Sequence, residues 1–258
     1  MSVNSGKQQI ILPFLIPIVI LLVWEWSVTS GLLPNTIIAS PLQVASDFFE
    51  LTINGKLLTH SLTSLYRLTL GFTIGTLIGL ALGIAVGTSK FAERLLAPTL
   101  QFLAPIPPIA WIPLLIILLG IGEGSKIGLI IIASLITVYI NTVQGIRSTD
   151  QKLVDVANVL RKSNKDLITK VLLPSATPHI FIGMRIALGL SWILLIAAEV
   201  IASSNGLGWL IWDSRNFSRP DDLFVGIIAI GILGKLSDMA LVVIEKELTR
   251  WRTVFQGK

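Results

Sequence analysis

The sequence predicts an all-α integral membrane protein with six transmembrane helices. Three observations carry that expectation. Apolar residues make up 53% of the 258 and charged residues only 14%, little more than half of the roughly 25% found in a soluble domain. Six apolar runs each approach the about 20 residues that cross about 30 Å of hydrocarbon, too long for barrel strands. Lysine and arginine gather on one side of those runs. The first observation excludes a soluble enzyme, a disordered regulator and a coiled coil, because so few charges cannot cover a water-facing surface.

The spans read 10–28, 62–87, 95–118, 126–146, 178–201 and 223–244. The first resembles a signal peptide in having Lys7 ahead of its apolar run. It lacks a small-residue cleavage site, however, and ends on Trp24-Glu25-Trp26, so it reads as a retained helix with an interfacial anchor. Between the first two spans, Ser40 is a plausible N-cap with Pro41 at the first helical position, predicting a short surface helix. The second span places Gly71, Gly75, Gly79, Gly83 and Gly87 on one face, which lets another helix approach closely. Gly75 and Gly79 therefore either line a path or pack statically. The third span holds Pro98, Pro105, Pro107, Pro108 and Pro113 and cannot remain a regular helix. Broken backbone at membrane depth is tolerated only inside protein or along a wet cavity, so Pro107 and Pro108 are path candidates, a plain kink being the alternative. Between the last two spans, Asn205 to Trp212 is too apolar for a free loop and too short to cross, and reads as an interfacial or re-entrant piece.

With the N-terminus inside, the cytoplasmic segments hold 13 of the 20 basic residues, against 4 outside and 3 within spans. Both termini are therefore expected in the cytoplasm. The same bias explains the net charge of +5 without a nucleic-acid partner. With no cysteine, there is no disulfide, thiol chemistry or Cys-based metal site. His60 and His179 lack metal-ligand spacing, so no catalytic, cofactor-binding or metal residue is assigned.

The longest cytoplasmic loop, 147–177, offers Ser148, Thr149 and Asp150 as helix caps. Leu153, Val156, Ala157 and Leu160 then fall at i, i+3, i+4 and i+7, one apolar face on a short helix. Lys152, Asp155, Arg161 and Lys162 supply its polar surface. Leu167, Ile168, Val171 and Leu172 continue the pattern to Leu173-Pro174. Such a helix lies on anionic lipid, folds under its own bundle, or fits a partner's groove.

This loop resembles the cytoplasmic signature of bacterial ABC importer permeases: E-A-A, three residues, Gly, nine residues, then I-x-L-P. Asp155-Val156-Ala157 stands at E-A-A, Arg161 at the Gly of the tight turn, and Val171-Leu172-Leu173-Pro174 at I-x-L-P. The departures are Asp for Glu and Arg for Gly. Residues from about 40 to 247 resemble the sulfonate/nitrate/taurine (and bicarbonate) branch, closest in look to aliphatic sulfonate permeases. The stretches that carry this include Ser64-Leu65-Tyr66-Arg67, Pro107-Pro108-Ile109-Ala110-Trp111, Tyr139-Ile140-Asn141-Thr142, Gly183 to Trp192, Ala198-Glu199 and Gly206-Leu207-Gly208. The resemblance implies a MetI-like ABC importer permease fold, one transmembrane permease domain over 1–258 with 147–177 as its coupling loop, in the bacterial inner membrane. It also implies partners: a second permease copy, expected to form a homodimer, two ABC ATPase subunits that hold ATP and Mg, and an extracytoplasmic substrate-binding protein, all in contact with membrane lipid where they meet it. The chain carries no G-x-x-x-x-G-K-[ST], so ATP must be bound elsewhere. No cofactor is expected on this chain, and it is not an enzyme.

On this resemblance, ATPase coupling falls to Leu153, Asp155, Val156, Ala157, Leu160, Arg161, Leu173 and Pro174. The cargo is a small oxyanion, aliphatic sulfonate or taurine ahead of nitrate or bicarbonate, moved by alternating access. Ionisable groups in spans are functional hypotheses by default: Arg67 or Arg185 could attract an anion, while Glu199 suits a hydrogen-bonded structural or gating role. Lys235 and Asp238, three apart, are expected to pair on one helix face. Ser191 and Asn141 offer neutral donors, and Trp111 could touch cargo or anchor at the interface. An ion-coupled secondary transporter would instead use Lys235, Asp238 or Glu199, but no inverted repeat is visible. An intramembrane enzyme would need H-E-x-x-H or G-x-S-x-G, and neither is present.

Overall fold

The computed structural model describes residues 5–250, with side chains from residue 15 onward. Arg252 and Lys258, counted above as cytoplasmic, lie outside the described residues, as does the side chain of Lys7. The described elements are all helical: α1 (Ser5–Thr29), α2 (Pro41–Ile53), α3 (Lys56–Thr88), α4 (Lys90–Leu103), a 3₁₀ turn (Pro108–Trp111), α5 (Ile112–Leu119), α6 (Glu123–Arg147), α7 (Gln151–Val159), α8 (Asn164–Leu167), a π turn (Ile168–Leu172), α9 (Leu173–Ala202), α10 (Leu207–Asn216) and α11 (Pro220–Leu248).

Four helical stretches are long and apolar enough to cross a membrane: Lys56–Thr88, Glu123–Arg147, Asn164–Ala202 and Pro220–Leu248. Lys90–Leu103 with Pro108–Leu119 makes a fifth, bent by 89°. The 25-residue α1 covers the expected first span. The third span, expected over 95–118 and expected to break at its prolines, is thus a bent pair of helices. Ser89 caps its start, accepting from the Ala92 amide at 3.3 Å, and Pro105, Pro107 and Pro108 remove three of four successive opportunities for a helical hydrogen bond at its middle.

The loop expected over 147–177 is shorter than its sequence suggested. From Asn164 the chain is already helical and runs into α9 through the π turn. Pro174 cannot donate to the carbonyl of residue 170, and its ring crowds that group. A wider turn just before it accommodates the proline without ending the helix.

Contacts divide the chain into two compact units: residues up to Leu62 with Asn205–Ile230, and Thr63–Ser204 with residues from Gly231 onward. In the first unit, α2 starts on a capping box, Ser40 Oγ accepting from the Gln43 amide and Gln43 Oε1 accepting from the Ser40 amide. Glu25 accepts from the Leu42 amide at 3.1 Å, tying the end of α1 to that first turn. His60 Nδ1 accepts from the Gly206 amide at 3.1 Å, and its ring lies 5.4 Å from that of Trp209. The piece expected to be interfacial or re-entrant is therefore a helix, α10, held at its N-cap.

In the second unit α6 is central. Leu129, Ile130, Ala133 and Val138 are completely buried along it. The glycine face of α3 meets one side: a Cβ built on Gly75 would lie 2.6 Å from the Ile131 carbonyl oxygen, and one on Gly79 2.6 Å from that of Leu135. Here the missing side chains let two backbones touch. On another side α9 packs through Gly145 against Ala176 and His179, and through Gly183 against Asn141.

Candidate translocation cavity and coupling surface

A cavity of about 460 Å³ lies in the second unit between α3, the broken third span, α6 and α9. The 3₁₀ turn after the break brings Pro108 and Trp111 to its wall, and α6 brings Ile136, Thr137, Ile140 and Asn141. Asn141 fits because Gly183 leaves room for it. Its Nδ2 donates to the Thr137 carbonyl at 2.9 Å. No charged side chain is among the lining residues.

Of the path candidates, the structure brings Pro108, Trp111 and Asn141 to one cavity. The others lie elsewhere. Gly75 and Gly79 face the backbone of α6. Pro107 precedes the 3₁₀ turn as its N-cap. Ser191 is fully buried and shares a hydrogen bond of 3.0 Å with Ser134.

Arg67 and Glu199 join a buried ion network. Glu199 is 0% exposed and Arg67 2%. Arg67 Nη1 donates to Glu199 Oε1 at 2.8 Å. Its Nε and Nη2 donate to the two Glu123 oxygens at 2.6 Å each. Ser64 Oγ donates to Glu199 at 2.8 Å, and buried Lys126 reaches Glu123 at 3.4 Å. Two cations face two anions, so the network carries no net charge. Sequence reading missed Ser64, Glu123 and Lys126. The signal for the last two was present, since Glu123 and Lys126 stand three apart at a helix start.

Arg185 holds Asp238 with two hydrogen bonds, 2.7 and 3.2 Å. The expected Lys235–Asp238 pair is therefore secondary: Lys235 Nζ stays 3.9 Å from Asp238. A planar guanidinium fits both carboxylate oxygens at once, whereas an ammonium offers only a point contact. About two turns further along α9, Trp192 Nε1 donates to Ser237 Oγ at 3.0 Å.

On the loop side, Asp150 caps α7 by accepting from the Lys152 amide at 2.9 Å. The helix closes on a Schellman turn, with Arg161 N donating to Asn158 O at 2.9 Å and Lys162 N to Ala157 O at 3.1 Å. Arg161 occupies the left-handed position of that turn, at φ +48°, where glycine carries no steric cost. The tight turn is thus made despite the substitution. Ala157 is buried, while Leu153, Val156 and Leu160 are exposed. They border a groove of about 300 Å³ shared with Val171 and Pro174. Leu173 is half-buried at the start of α9. Asp155 accepts from Gln151 Nε2 at 3.0 Å on the polar side.

In the first unit, oxygens of Asp47, Asp221 and Asp222 lie within 4.8 Å of one another, the spacing a cation could use. Basic groups already occupy part of the cluster: Arg219 reaches Asp222 at 2.8 Å and Lys56 at 3.7 Å. Burial, and after it the carboxyls of Asp221, Asp222 and Glu50, push Asp47 up to about 6.

A family model described as binding-protein-dependent transport system inner membrane component matches residues 75–250. A Bacillus subtilis (strain 168) protein named for aliphatic sulfonates transport permease is 41% identical over 243 residues, covering 94% of this chain and 88% of that one. A nitrate import permease protein of Synechocystis sp. (strain ATCC 27184 / PCC 6803 / Kazusa) is 35% identical over 248 residues, covering 93% and 89%. Among solved structures, an inward-facing methionine ABC transporter aligns with a TM-score of 0.62 at 18% identity, covering 72% of this chain and 93% of that one.

Proposed function

The chain belongs to the binding-protein-dependent transport system inner membrane component family, and from that premise we propose that it carries a small oxyanion, aliphatic sulfonate or taurine first, into the cytoplasm. It is an ABC importer permease of the sulfonate/nitrate/taurine branch with a MetI-like, all-helical membrane fold. It does not hydrolyse ATP; separate ATPase subunits do. Its family implies ATPase and substrate-binding partners and a multi-pass place in the membrane.

The finer reading extends this. Two copies of the chain form the path, both termini face the cytoplasm, and the two ATPases hold ATP and Mg. The single observation that carries the coupling is α7: an apolar face left exposed on a helix capped at both ends. Leu153, Val156 and Leu160 meet the ATPase, Asp155 and Arg161 shape the helix and its turn, and Leu173 and Pro174 join it to α9. α9 and α6 together frame the cavity, so a pull on α7 is passed along the π turn to the cavity wall. Pro108, Trp111 and Asn141 then line the path. The absence of any charged lining residue supports a weak site that releases an anion readily, with the neutral Asn141 amide as a donor.

Sulfonate is ranked first because similarity to the sulfonate-named relative, at 41%, exceeds that to the nitrate-named one, at 35%, and the taurine-named one, at 33%; taurine stands beside it because it is itself a sulfonate. Nitrate or bicarbonate is the second reading, favoured by the run Trp209-Leu210-Ile211-Trp212-Asp213. The test is uptake by the reconstituted complex with its binding protein, using labelled alkanesulfonate against taurine, nitrate and bicarbonate. Uptake of a neutral sugar or a cation, with no competition from these anions, would overturn the anion reading.

A further inference from the structure

We infer that Lys235, outside the uncharged cavity and on the exposed side of α11, faces a water-filled stretch of the path that a second copy completes, and draws the anion across the middle of the membrane. This rests on the anion-import reading above and names a residue that acts in it.

The first support is depth. Lys235 stands 15 residues after Pro220 and 13 before Leu248 in α11, so at about 1.5 Å per residue it lies roughly 20 Å from either end of the helix. The hydrocarbon core is about 30 Å thick. A lysine lifts its charge out of lipid by stretching a four-carbon stem, and from the middle of a span that stem falls short of either interface.

The second is exposure without a partner that neutralises it. The side chain of Lys235 is 70% exposed. Asp238 is satisfied by the two-pronged contact from Arg185, and Lys235 approaches it no closer than 3.9 Å. The three groups leave one positive charge. A charge at this depth faces water or protein, since lipid is too costly a neighbour.

The third is position. Gly234 and Ser237 turn toward α9, where Trp192 donates to Ser237 at 3.0 Å and a Cβ on Gly234 would lie 3.9 Å from its ring. Asp238 is bound to α9 through Arg185, so Lys235, three residues before it, borders the seam between the two helices. Within this unit the acids Glu123 and Glu199 are held by Arg67. Asp238 is held by Arg185, and the remaining carboxylate of this unit's part of α11 that lies toward Lys235, Glu245, stands ten residues further along the helix, on the side of Arg185.

The natural sequence has no cysteine, so Lys235→Cys introduces a single thiol. In proteoliposomes holding the permease, its ATPases and its binding protein, that thiol should react with charged, membrane-impermeant methanethiosulfonates. Transported alkanesulfonate should slow the reaction several-fold. In parallel, Lys235→Gln should lower kcat/KM for alkanesulfonate about tenfold, as expected for losing one unit charge near the path, and Lys235→Arg should restore most of it. If the Cys variant fails to assemble, the Gln and Arg variants carry the test by themselves. A thiol inert to these reagents with and without ATP, or Lys235→Gln uptake equal to wild type, overturns the inference. Wild-type uptake of alkanesulfonate beside an inert thiol overturns Lys235 alone. A wild-type complex that moves no anion overturns the parent reading, and thiol reactivity then still reports whether water reaches this depth.

Discussion

Gly83 lies so close to Thr142 that a Cβ built on it would fall 2.5 Å from the Thr142 Cβ. Neither helix backbone can withdraw without opening the rest of the α3–α6 contact. Gly83→Ala should therefore lower stability by roughly 1–3 kcal/mol. Gly79→Leu, aimed at the Leu135 carbonyl 2.6 Å away, should reduce the yield of assembled complex further. Thermal midpoints and yields in detergent measure both. An unaltered yield, midpoint and transport rate for Gly79→Leu would show that the stripe is not a packing face.

Arg161→Gly should stabilise the loop, because Arg161 holds φ +48° against a steric cost of about 1 kcal/mol for an L side chain. Glycine has no such cost at the left-handed position of a Schellman turn. Protease resistance of the α7 region should rise with transport retained. A drop in resistance would mean that the Arg161 side chain contributes more than its backbone strain costs.

Arg67→Met should be severe. It leaves buried Glu199 without its guanidinium, and breaking a buried pair from one side costs about 3–5 kcal/mol. Arg67→Met with Glu199→Met should recover much of that loss, since the buried charge goes with its partner. Unfolding midpoints of the two single variants and the double variant form the cycle. Strict additivity would deny the coupling.

Leu160→Asp tests the coupling surface. Leu160 is 62% exposed here, so the permease itself should fold and insert. Against an apolar ATPase groove, however, an unpaired carboxylate costs on the order of several kcal/mol. Uptake and co-purified ATPase should both fall sharply. Normal ATP-coupled uptake by this variant would remove α7 from the interface.

Asp47→Asn tests the carboxylate cluster. Asp47 is raised to about 6 from an ordinary 3.8. A raised acid binds its proton more tightly when folded, so its contribution is fully present below about pH 4 and lost as pH climbs through about 6. Hydrogen exchange in α2 should therefore slow on going from pH 7 to pH 5, after correction for intrinsic rates. Asn, which stays neutral, should flatten that response and stabilise α2 at pH 7 by no more than about 1 kcal/mol, because water screens the cluster. An identical pH response in the variant would assign it to other groups.

Elements whose cause is local were readable from sequence. Ser40 and Pro41 mark the start of α2, the prolines at 105, 107 and 108 mark the broken span, and the spacing of Leu153, Val156, Ala157 and Leu160 marks α7. The glycine interval in α3 announced a close approach but not what would approach. Partners across the fold were not readable. Asp238 stood three residues from Lys235, which suggested that pair, yet it binds Arg185, 53 residues away. The helix through Pro174 was hidden because proline usually ends a helix, and only a wider turn, which leaves no mark in composition, lets it continue. The coupling turn shows the same limit: Arg at 161 argues against a left-handed residue, and the hydrogen bonds from Arg161 and Lys162 impose one.

The Arg67 network also constrains how the chain is made. Arg67 leaves the ribosome 56 residues before Glu123 and 132 before Glu199. At roughly 5–20 residues per second, α3 waits on the order of ten seconds for its last counter-ion. Throughout that time the nascent helix carries a cation that lipid rejects. It must linger beside the translocon, or in the care of an insertase, until α9 has been synthesised. Premature termination before residue 199 would leave that cation short of a partner and mark the fragment for membrane quality control.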